Sequence, residues 1–358
     1  MSRLRGGYTT GTYAAAAAKA AAILLTTNRA PDTVEIDLPG GGRVTLPVLF
    51  TRRNNASVEA AVRKDAGDDP DITNGAVVIA QVTPIAGDDM IITAGEGVGT
   101  VTLPGLSVPP GEPAVNPVPR RMIRLAVRKV TTQGLQVTLS IPGGGEMAAR
   151  TFNPRLGIEG GLSILGTSGR VRPFSCPALR TSLKCLFDVI VAGGVTAPVF
   201  VPGRIGERAA TRLFHHIDQH QIIAVGNEWG YMVDAAAEAP LDGLLIAGHP
   251  GKLAKLAMGV WDTHSSRSPS AVSFVAATMG AVLNRQPPDV PTVEGLFAAL
   301  TAKELKIQGN ALAGQVRQAL EDRLGGKFPV AVVLVNMHGD KLGTSGDLER
   351  WQKNNQKS

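Results

Sequence analysis

T-F-N-P-R-L-G-I-E-G-G-L-S-I-L-G-T-S-G-R-V-R-P, from Thr151 to Pro173, is the stretch on which the reading of the fold turns. On its amino side, short alternating strands are separated by turn signals. On its carboxyl side, brief apolar runs ending in glycine alternate with helix-like stretches. Leu162–Leu165 reads as a strand, with Gly166, Thr167, Ser168 and Gly169 forming a tight polar loop at its carboxyl end. Ligands of open α/β sheets bind outside the carboxyl ends of strands. Asn153, Pro154 and Arg155 fall at the expected domain boundary, where pockets are common.

Working outward toward the carboxyl end, strands are expected at Val199–Val201, Ile222–Val225, Leu244–Ala247 and Val330–Val335. Helices are expected near Ala178–Ile190, Glu207–His216, Tyr231–Glu238, Lys252–Gly259, Val293–Thr301 and Leu312–Leu324. This alternation implies βαβ units, so residues 153–358 read as a Rossmann-like, mostly parallel, doubly wound domain. The strand-end loops G-T-S-G, P-G-R-I-G, G-N-E-W-G and G-H-P-G-K all give glycine freedom where a ligand would approach.

Gly248, His249, Pro250, Gly251 and Lys252 resemble a phosphate loop only superficially. Ile246 stands where the first glycine belongs, and Leu253 where Ser or Thr should follow the lysine. Lys252 could still hold a carboxylate, although the plain alternative is a strand-to-helix turn. Farther on, Asp262–Arg267 is a compact polar run in which His264 could act as acid or base; a histidine among hydroxyls is more often simply hydrogen-bonded. No nucleophile elbow is present, and neither Cys176 nor Cys185 has an evident partner, so covalent catalysis has no support.

Toward the amino end, residues 1–152 read as an α+β domain with a mixed or antiparallel sheet. Thr9, Thr10, Gly11 and Thr12 lead into the helix Ala14–Leu25; threonine can cap its free N–H groups, which also form a ready anion site. Val34–Leu38 and Arg43–Phe50 flank the turn Pro39–Gly42 as a hairpin. Lys64, Asp65, Asp68, Asp69 and Asp71 crowd one loop before the strand Ala76–Val82. Four aspartates there would repel unless solvated, hydrogen-bonded or paired; the spacing is not that of an EF-hand.

Glu96 lies in the loop Gly95–Thr100 after the strand Met90–Ala94. No helix follows it at once, which rejects a dinucleotide reading and favours close approach to a ligand or another strand. Pro119 opens a helix whose buried stripe is Ile123, Ala126, Val127 and Val130. Arg120, Arg121, Arg124 and Arg128 lie elsewhere around it: a solvated face by default, an anion contact by their number. Gln136–Ile141 is a further strand, turned by Gly143–Gly145.

A net charge of +6 and a pI near 9.5 favour an anionic partner. Aromatic residues at 4% leave too few stacking platforms for single-stranded nucleic acid, and no dense basic run exists, so an anionic small molecule fits better. Two cysteines suit reduced thiols and a cytoplasmic setting. The alanine run is too short to span a bilayer and carries Lys19, which argues against a signal peptide or a membrane partner. Oligomeric state stays open, a homo-oligomer included.

G-Y-T-T-G-T-x-A-A-A-A-A-K-A-A-A at Gly7–Ala22, K-D-A-G-D-D-P-D-I-T-N-G at Lys64–Gly75, G-E-G-V-G-T-V-T-L-P-G-L at Gly95–Leu106 and G-E-P-A-V-N-P-V-P-R at Gly111–Arg120 follow one another in order. Thr151–Val171, G-H-P-G-K-L-A-K-L-A at Gly248–Ala257 and T-H-S at Thr263–Ser265 complete the series. On these segments the chain resembles the cobalt-precorrin-5B C-1-methyltransferase family of anaerobic cobalamin biosynthesis. Tyr13 departs from the family, which often has cysteine there, as does Pro250, commonly isoleucine.

The resemblance implies S-adenosyl-L-methionine as methyl donor and a cobalt-containing tetrapyrrole as acceptor, with the metal arriving in the substrate. Gly166, Thr167, Ser168, Gly169, Gly248, His249, Gly251 and Lys252 are then the expected donor-binding residues. Thr9, Thr10, Thr12, Lys64, Asp65, Asp71, Glu96, Asn153 and Arg155 are expected to contact the tetrapyrrole. His264, Asp68 and Asp69 are the candidates for a catalytic role, with His264 assisting rather than carrying the reaction. The usual methyltransferase signature is missing: counting Leu162–Leu165 as the first strand puts Pro202, Gly203 and Arg204 where a ribose-binding acid is common. A nicotinamide- or nucleotide-dependent enzyme acting on an anionic small molecule is the competing class, and a basic nucleic-acid-binding protein the third.

Overall fold

Alanine decides the centre of the amino-terminal half. Thr10–Thr27 is a helix whose Ala14–Ala18 and Ala20–Ala22 are all fully buried. Alanine has no side-chain entropy to lose and is the best helix former. A helix with no large side chains on any face can be enclosed closely on every side. It packs against the strands Ser57–Arg63 and Val77–Pro84 and against the helix Pro117–Arg128. A Cβ on Gly11 would stand 2.7 Å from Pro119 Cγ, so glycine sets the approach of the two helices. Asn28 ends the helix in the left-handed conformation with its N–H on the Leu24 carbonyl, an ordinary C-terminal cap.

The structure, a computed structural model, describes residues 4–352. The chain divides between Leu179 and Arg180. In the first unit, Phe50–Asn54, Ser57–Arg63, Val77–Pro84, Leu135–Ser140 and Met90–Ala94 form one sheet in that order. All its pairings are antiparallel except the last, which is parallel, giving the mixed sheet expected. The hairpin Thr33–Asp37 with Arg43–Pro47 lies apart from it. The arginine helix starts at Pro117, two residues earlier than expected, and buries Pro119, Met122, Ile123, Ala126 and Val127. Val130 lies beyond its end.

The sequence reading needs correction at Thr151–Pro173. Of the expected strand Leu162–Leu165 only Leu162 is strand, in the pair Gly161–Leu162 that lies beside Gly97–Val98; Ile158–Glu159 pairs with Thr100–Val101 and Arg170–Val171 with Gly7–Tyr8. Every partner lies in the amino-terminal half. The expected first strand of the second domain therefore belongs to the first unit, and the division falls after the 152/153 boundary. The cause is glycine. A Cβ on Gly161 would sit 2.2 Å from the Gly97 backbone, and one on Gly144 would sit 2.2 Å from Gly97 O, so three backbones meet where no side chain fits.

The second unit holds a five-stranded sheet ordered Ile222–Ala224, Val199–Val201, Leu244–Gly248, Val330–Val335, Lys341–Ser345. The first four strands run parallel and the last is an antiparallel edge. Leu244–Gly248 and Val330–Val335 are buried at every position, as parallel strands covered on both faces must be. The edge strand Lys341–Ser345 and the helix Val272–Leu283 were not expected. The long helix Ala302–Leu324 begins ten residues before its expected start at Leu312, with a capping box of Thr301 and Glu304. Among the described residues, no helix is long and apolar enough to cross a membrane.

Candidate active site

In the first unit, the polar entry of the alanine helix and the G-T-S-G loop are bonded to each other. Thr9 N–H donates to the Gly169 carbonyl at 3.1 Å and Gly11 N–H to the Leu165 carbonyl at 3.0 Å. Thr10 Oγ1 donates to Leu165 O at 3.2 Å while accepting Leu165 N–H at 2.9 Å. Thr12 Oγ1 donates to Gly169 O at 2.8 Å. Thr9, Thr10 and Thr12 are all buried. The groups that could have bound an anion are thus spent on holding Leu165–Gly169. What that loop leaves at the surface is Leu165, Thr167 and Ser168.

Glycine is required here. Gly166 has φ +132°, and a Cβ on it would meet Thr9 Oγ1 at 2.3 Å; Gly169 has φ +79° and a Cβ would lie 2.8 Å from Leu38 Cδ2. Substituting either position breaks the contact with the helix entry, whatever the loop binds.

The aspartate loop is held in the same way. Arg5 grips Asp65 through two guanidinium N–H groups at 2.5 and 2.8 Å, and its own backbone N–H donates to Asp68 Oδ2 at 2.5 Å. Asp69 Oδ1 accepts the Phe174 N–H at 3.1 Å. Lys64, with its side chain 1% exposed, pairs with Asp71 Oδ2 at 2.5 Å; the other Asp71 oxygen takes the N–H and hydroxyl of Thr73. Burial pushes the Asp71 carboxyl up, but Lys64 and Thr73 outweigh it and hold the group below the usual carboxylate range. The Arg5 guanidinium and the Gly67 N–H likewise hold Asp65 low. Tyr13 locks the loop from inside: its hydroxyl accepts the Asp65 N–H at 2.9 Å and donates to the Asp65 carbonyl at 3.3 Å. Among the described residues no group of three or more His, Cys, Asp or Glu side chains could hold a metal ion.

Asn153 is buried, its Nδ2 donating to the Gly161 carbonyl at 3.2 Å, which makes it a support for the glycine junction. Arg155 lies half-buried on the same 3-10 turn, Asn153–Leu156. Glu96 exposes its side chain, and its carbonyl accepts the Ile141 N–H at 2.8 Å.

In the second unit, polar side chains gather where parallel strands end. His249 caps the helix Pro250–Ala257: its Nδ1 accepts the Gly251 N–H at 3.0 Å, which puts the ring proton on Nε2, and that N–H donates to Glu294 at 2.7 Å. Lys252 Nζ donates to Asn227 Oδ1 at 3.0 Å, and Thr263 Oγ1 donates to the same oxygen at 3.2 Å. Burial first, and then the charge of Lys255, pushes the Lys252 ammonium below the usual lysine range. Lys255 is buried and donates to Ser268 Oγ at 2.7 Å. Next to Asn227, Glu228 is 5% exposed and pairs with Arg180 Nε at 2.6 Å. Trp229 is fully buried with an Nε1–H that has no partner among the described residues.

His264 sits at the rim of this cluster, half-buried. Its Nδ1 accepts the Ser266 N–H at 3.3 Å and lies 2.9 Å from Ser266 Oγ, while Asp262 accepts the His264 N–H at 3.0 Å. The lone pair of the neutral ring is therefore engaged, and Nε2 presents a donor rather than a base.

The sequence reading missed Arg5, Tyr13, Asn227, Glu228, Thr263, Lys255 and Glu294 as parts of these clusters. Asn227 and Glu228 had a signal in the G-N-E-W-G loop, hidden by the strand count. Once Leu162–Leu165 leaves this sheet, Val199–Val201 is its first strand and Ile222–Ala224 its second. Glu228 is then the acid that follows the second strand.

Comparison with known proteins agrees with the sequence resemblance. The family model described as CbiD matches residues 1–173, and that of the CbiD C-terminal domain matches residues 262–346. A protein of Syntrophotalea carbinolica named cobalt-precorrin-5B C(1)-methyltransferase is 52% identical over 98% of this chain and 100% of its own length. One of the same name from Methanocaldococcus jannaschii is 40% identical over 94% of this chain and 95% of its own. A crystal structure of the cobalamin biosynthesis protein cbiD from Archaeoglobus fulgidus is 30% identical, covering 75% of this chain and 84% of that one, with a TM-score of 0.40.

Proposed function

Because the chain belongs to the CbiD family, we propose that it transfers a methyl group from S-adenosyl-L-methionine to C-1 of cobalt-precorrin-5B, giving cobalt-precorrin-6A. One observation carries this: 52% identity to a protein of that name, running the length of both chains.

The second unit is the donor-binding part in this reading, with a Rossmann-like sheet. Strand order reverses between Val199–Val201 and Leu244–Gly248, the switch point where such sheets bind ligands. The turn after the first strand supports this. Gly203 precedes the helix Arg204–Leu213 with nothing within 4 Å of its missing Cβ, and a Cβ on Gly206 would stand 2.6 Å from the Ala247 carbonyl, so glycine lets that helix close on the strand. The donor set suits the cofactor: Glu228 can accept from ribose hydroxyls, and Lys252, with N–H groups beyond the one given to Asn227, can hold the amino-acid carboxylate. Gly248, His249 and Gly251 shape this turn. Gly166–Gly169 goes with the acceptor instead, because its loop is built into the first unit. There Leu165 and Phe174, both exposed, offer apolar surface to a macrocycle beside Thr167, Ser168 and Asp68.

The donor supplies an electrophilic methyl on sulfur; the ring carbon forms the new C–C bond as the C–S bond breaks, a neutral thioether leaves, and the ring gives up a proton. Alignment is the protein's main task, and held near-attack geometry contributes roughly 7–11 kcal/mol. Asp68 and Asp69, fastened to Arg5 and Phe174, keep the aspartate loop in place rather than exchanging protons.

Anaerobic incubation of the protein with S-adenosyl-L-methionine and cobalt-precorrin-5B should give S-adenosylhomocysteine and a singly methylated product, read by mass spectrometry. Absence of both products rejects the function. Glu228→Gln should weaken S-adenosylhomocysteine binding about tenfold, the loss of roughly one charge-assisted hydrogen bond. Unchanged affinity rejects the donor site and leaves the methylation standing.

A further inference from the structure

The helix Pro117–Arg128 carries four arginines, and they are not alike. Arg120 is a staple: its Nε donates to the Val115 carbonyl at 2.8 Å, and its Nη2 reaches Glu112 and the Pro113 carbonyl, each at 3.0 Å. Arg128 binds the carbonyls of Gln133 and Asp88. Arg124 has one long ion pair, 3.6 Å to an Asp89 whose side chain is 76% exposed. Arg121 is exposed and has no protein partner among the described residues. It lies three positions before Arg124, so the two guanidiniums are neighbours on one face and repel modestly.

These two arginines line a cavity of about 510 Å³. Val108, Pro109 and Pro117 form its apolar wall. Glu112 is the one carboxylate in the lining, and Arg120 already neutralises it. The frame is rigid: Pro117 fixes the helix start, and Met122, Ile123, Ala126 and Val127 anchor the opposite face in the core. A concave site with an apolar wall, one guanidinium without a protein partner among the described residues and a second held only by a long ion pair to an exposed carboxylate matches a carboxylate on an otherwise apolar molecule.

We propose that this cavity is a carboxylate subsite for the tetrapyrrole, in which Arg121 and Arg124 grip one acidic side chain of the macrocycle. This rests on the methyltransferase reading and adds to it the part of the first unit that selects the substrate's charge. Arg121 also lines a second cavity, of about 270 Å³, with Lys19 and Lys129. Glu35 and Asp37 share that lining, and its cations are engaged: Lys19 on the Glu35 carbonyl and Lys129 on Asp37. The unmet positive charge is on the side of Arg124.

The test is the double variant Arg121→Gln/Arg124→Gln, with its melting temperature checked against wild type. Uroporphyrin, a porphyrin bearing only carboxylate side chains, is titrated by fluorescence, so that no turnover is needed. The dissociation constant should rise about tenfold, and the salt dependence of binding should become shallower, since two exposed charge-assisted contacts are lost. Equal affinity in the two proteins, or a wild type that does not take up the porphyrin, overturns the subsite. Competition with inorganic phosphate separates a general anion hole from a macrocycle site: displacement at equal concentrations overturns the assignment, and retention of the porphyrin supports it. The turnover assay reads the other premise separately. A protein that binds the porphyrin in this way but does not methylate cobalt-precorrin-5B keeps the subsite and loses the function.

Discussion

Two glycine-bearing loops, Gly166–Gly169 and Gly248–Lys252, look interchangeable in the sequence and are built for different ends. The first is consumed by the fold: carbonyls at both of its ends accept hydrogen bonds from the entry of the alanine helix. The second is closed by its own side chains. His249 satisfies the Gly251 N–H and is itself held by Glu294, while Lys252 gives one N–H to Asn227. A lysine ammonium has three N–H groups, so the second loop keeps charged donors in reserve, where the first keeps only the exposed Thr167 and Ser168. Glycine after an apolar run marks a close approach. Whether a ligand or another backbone makes that approach depends on what the neighbouring residues leave unspent.

The largest effect expected from this contrast is at Lys64. Its side chain is buried against Asp71, and removing one partner of a buried pair leaves an uncompensated charge. Lys64→Met should cost about 3 kcal/mol in denaturant unfolding, the low end of the usual range because Asp71 is partly exposed. The pH dependence gives a second reading. Asp71 is held below its ordinary value in the folded chain, so its contribution is complete above the unfolded carboxyl's ~3.9 and is lost as pH falls through the lower folded value. The gap between wild type and variant should therefore narrow on acidification below about pH 4. A gap that is small at neutral pH, or constant down to acid, would mean that the pair does not hold the loop.

A loss of similar size at Gly166 and a smaller one at Gly248 sharpen the comparison between the loops themselves. Alanine at Gly166 brings a Cβ within 2.3 Å of Thr9 and forces φ +132° on a residue with a side chain. Strain and overpacking together should cost about 2–4 kcal/mol. Alanine at Gly248 meets Pro202 Cδ at 2.5 Å but carries no positive φ, so the overpacking cost of about 1–3 kcal/mol stands alone. Thermal melts of the two variants, with and without S-adenosylhomocysteine, check both halves. If the ligand raises the melting temperature of Gly166→Ala as much as that of wild type and fails to do so for Gly248→Ala, the donor belongs to the second loop. The reverse result returns it to the first.

The alternating pattern of the second unit was readable because its strands are short apolar runs closed by glycine. Val199–Val201 and Val330–Val335 form over the residues expected. The misreading came from Leu162–Leu165, where the same local signal has a long-range cause. Gly161 pairs with Gly97, and nothing within the stretch says so. One misplaced strand then displaced the strand count and hid Glu228. The aspartate loop shows the same limit. Four clustered carboxylates suggested ligand chemistry, but two of the groups that satisfy them, on Arg5 and Phe174, lie sixty residues or more away in the chain, and Tyr13, which holds the Asp65 backbone, lies fifty-two away.

The smallest expected effect is at His264, and it separates a positioning group from a base. Methyl transfer to carbon needs alignment first, and a general base contributes about 10²–10⁴-fold only where proton transfer occurs in the transition state. The His264 Nδ1 lone pair is already taken by Ser266, and the backbone around it is pinned by Asp262 below and Ser268 above. A neutral ring in that setting donates from Nε2 while its lone pair is hydrogen-bonded to Ser266. His264→Gln keeps a side chain that can both accept from Ser266 and donate outward, so the rate should fall less than about threefold, with the pH profile unchanged in shape. His264→Ala should lose more, because the Thr263–Ser268 turn loosens, and Thr263 donates to the same Asn227 oxygen as Lys252. Single-turnover rates across pH, with anaerobically prepared substrate, distinguish the two accounts. Loss beyond a hundredfold in His264→Gln, together with disappearance of the acid limb, would make the histidine the base. A mild loss in glutamine and a larger one in alanine would leave it as the brace of the turn beside Lys252.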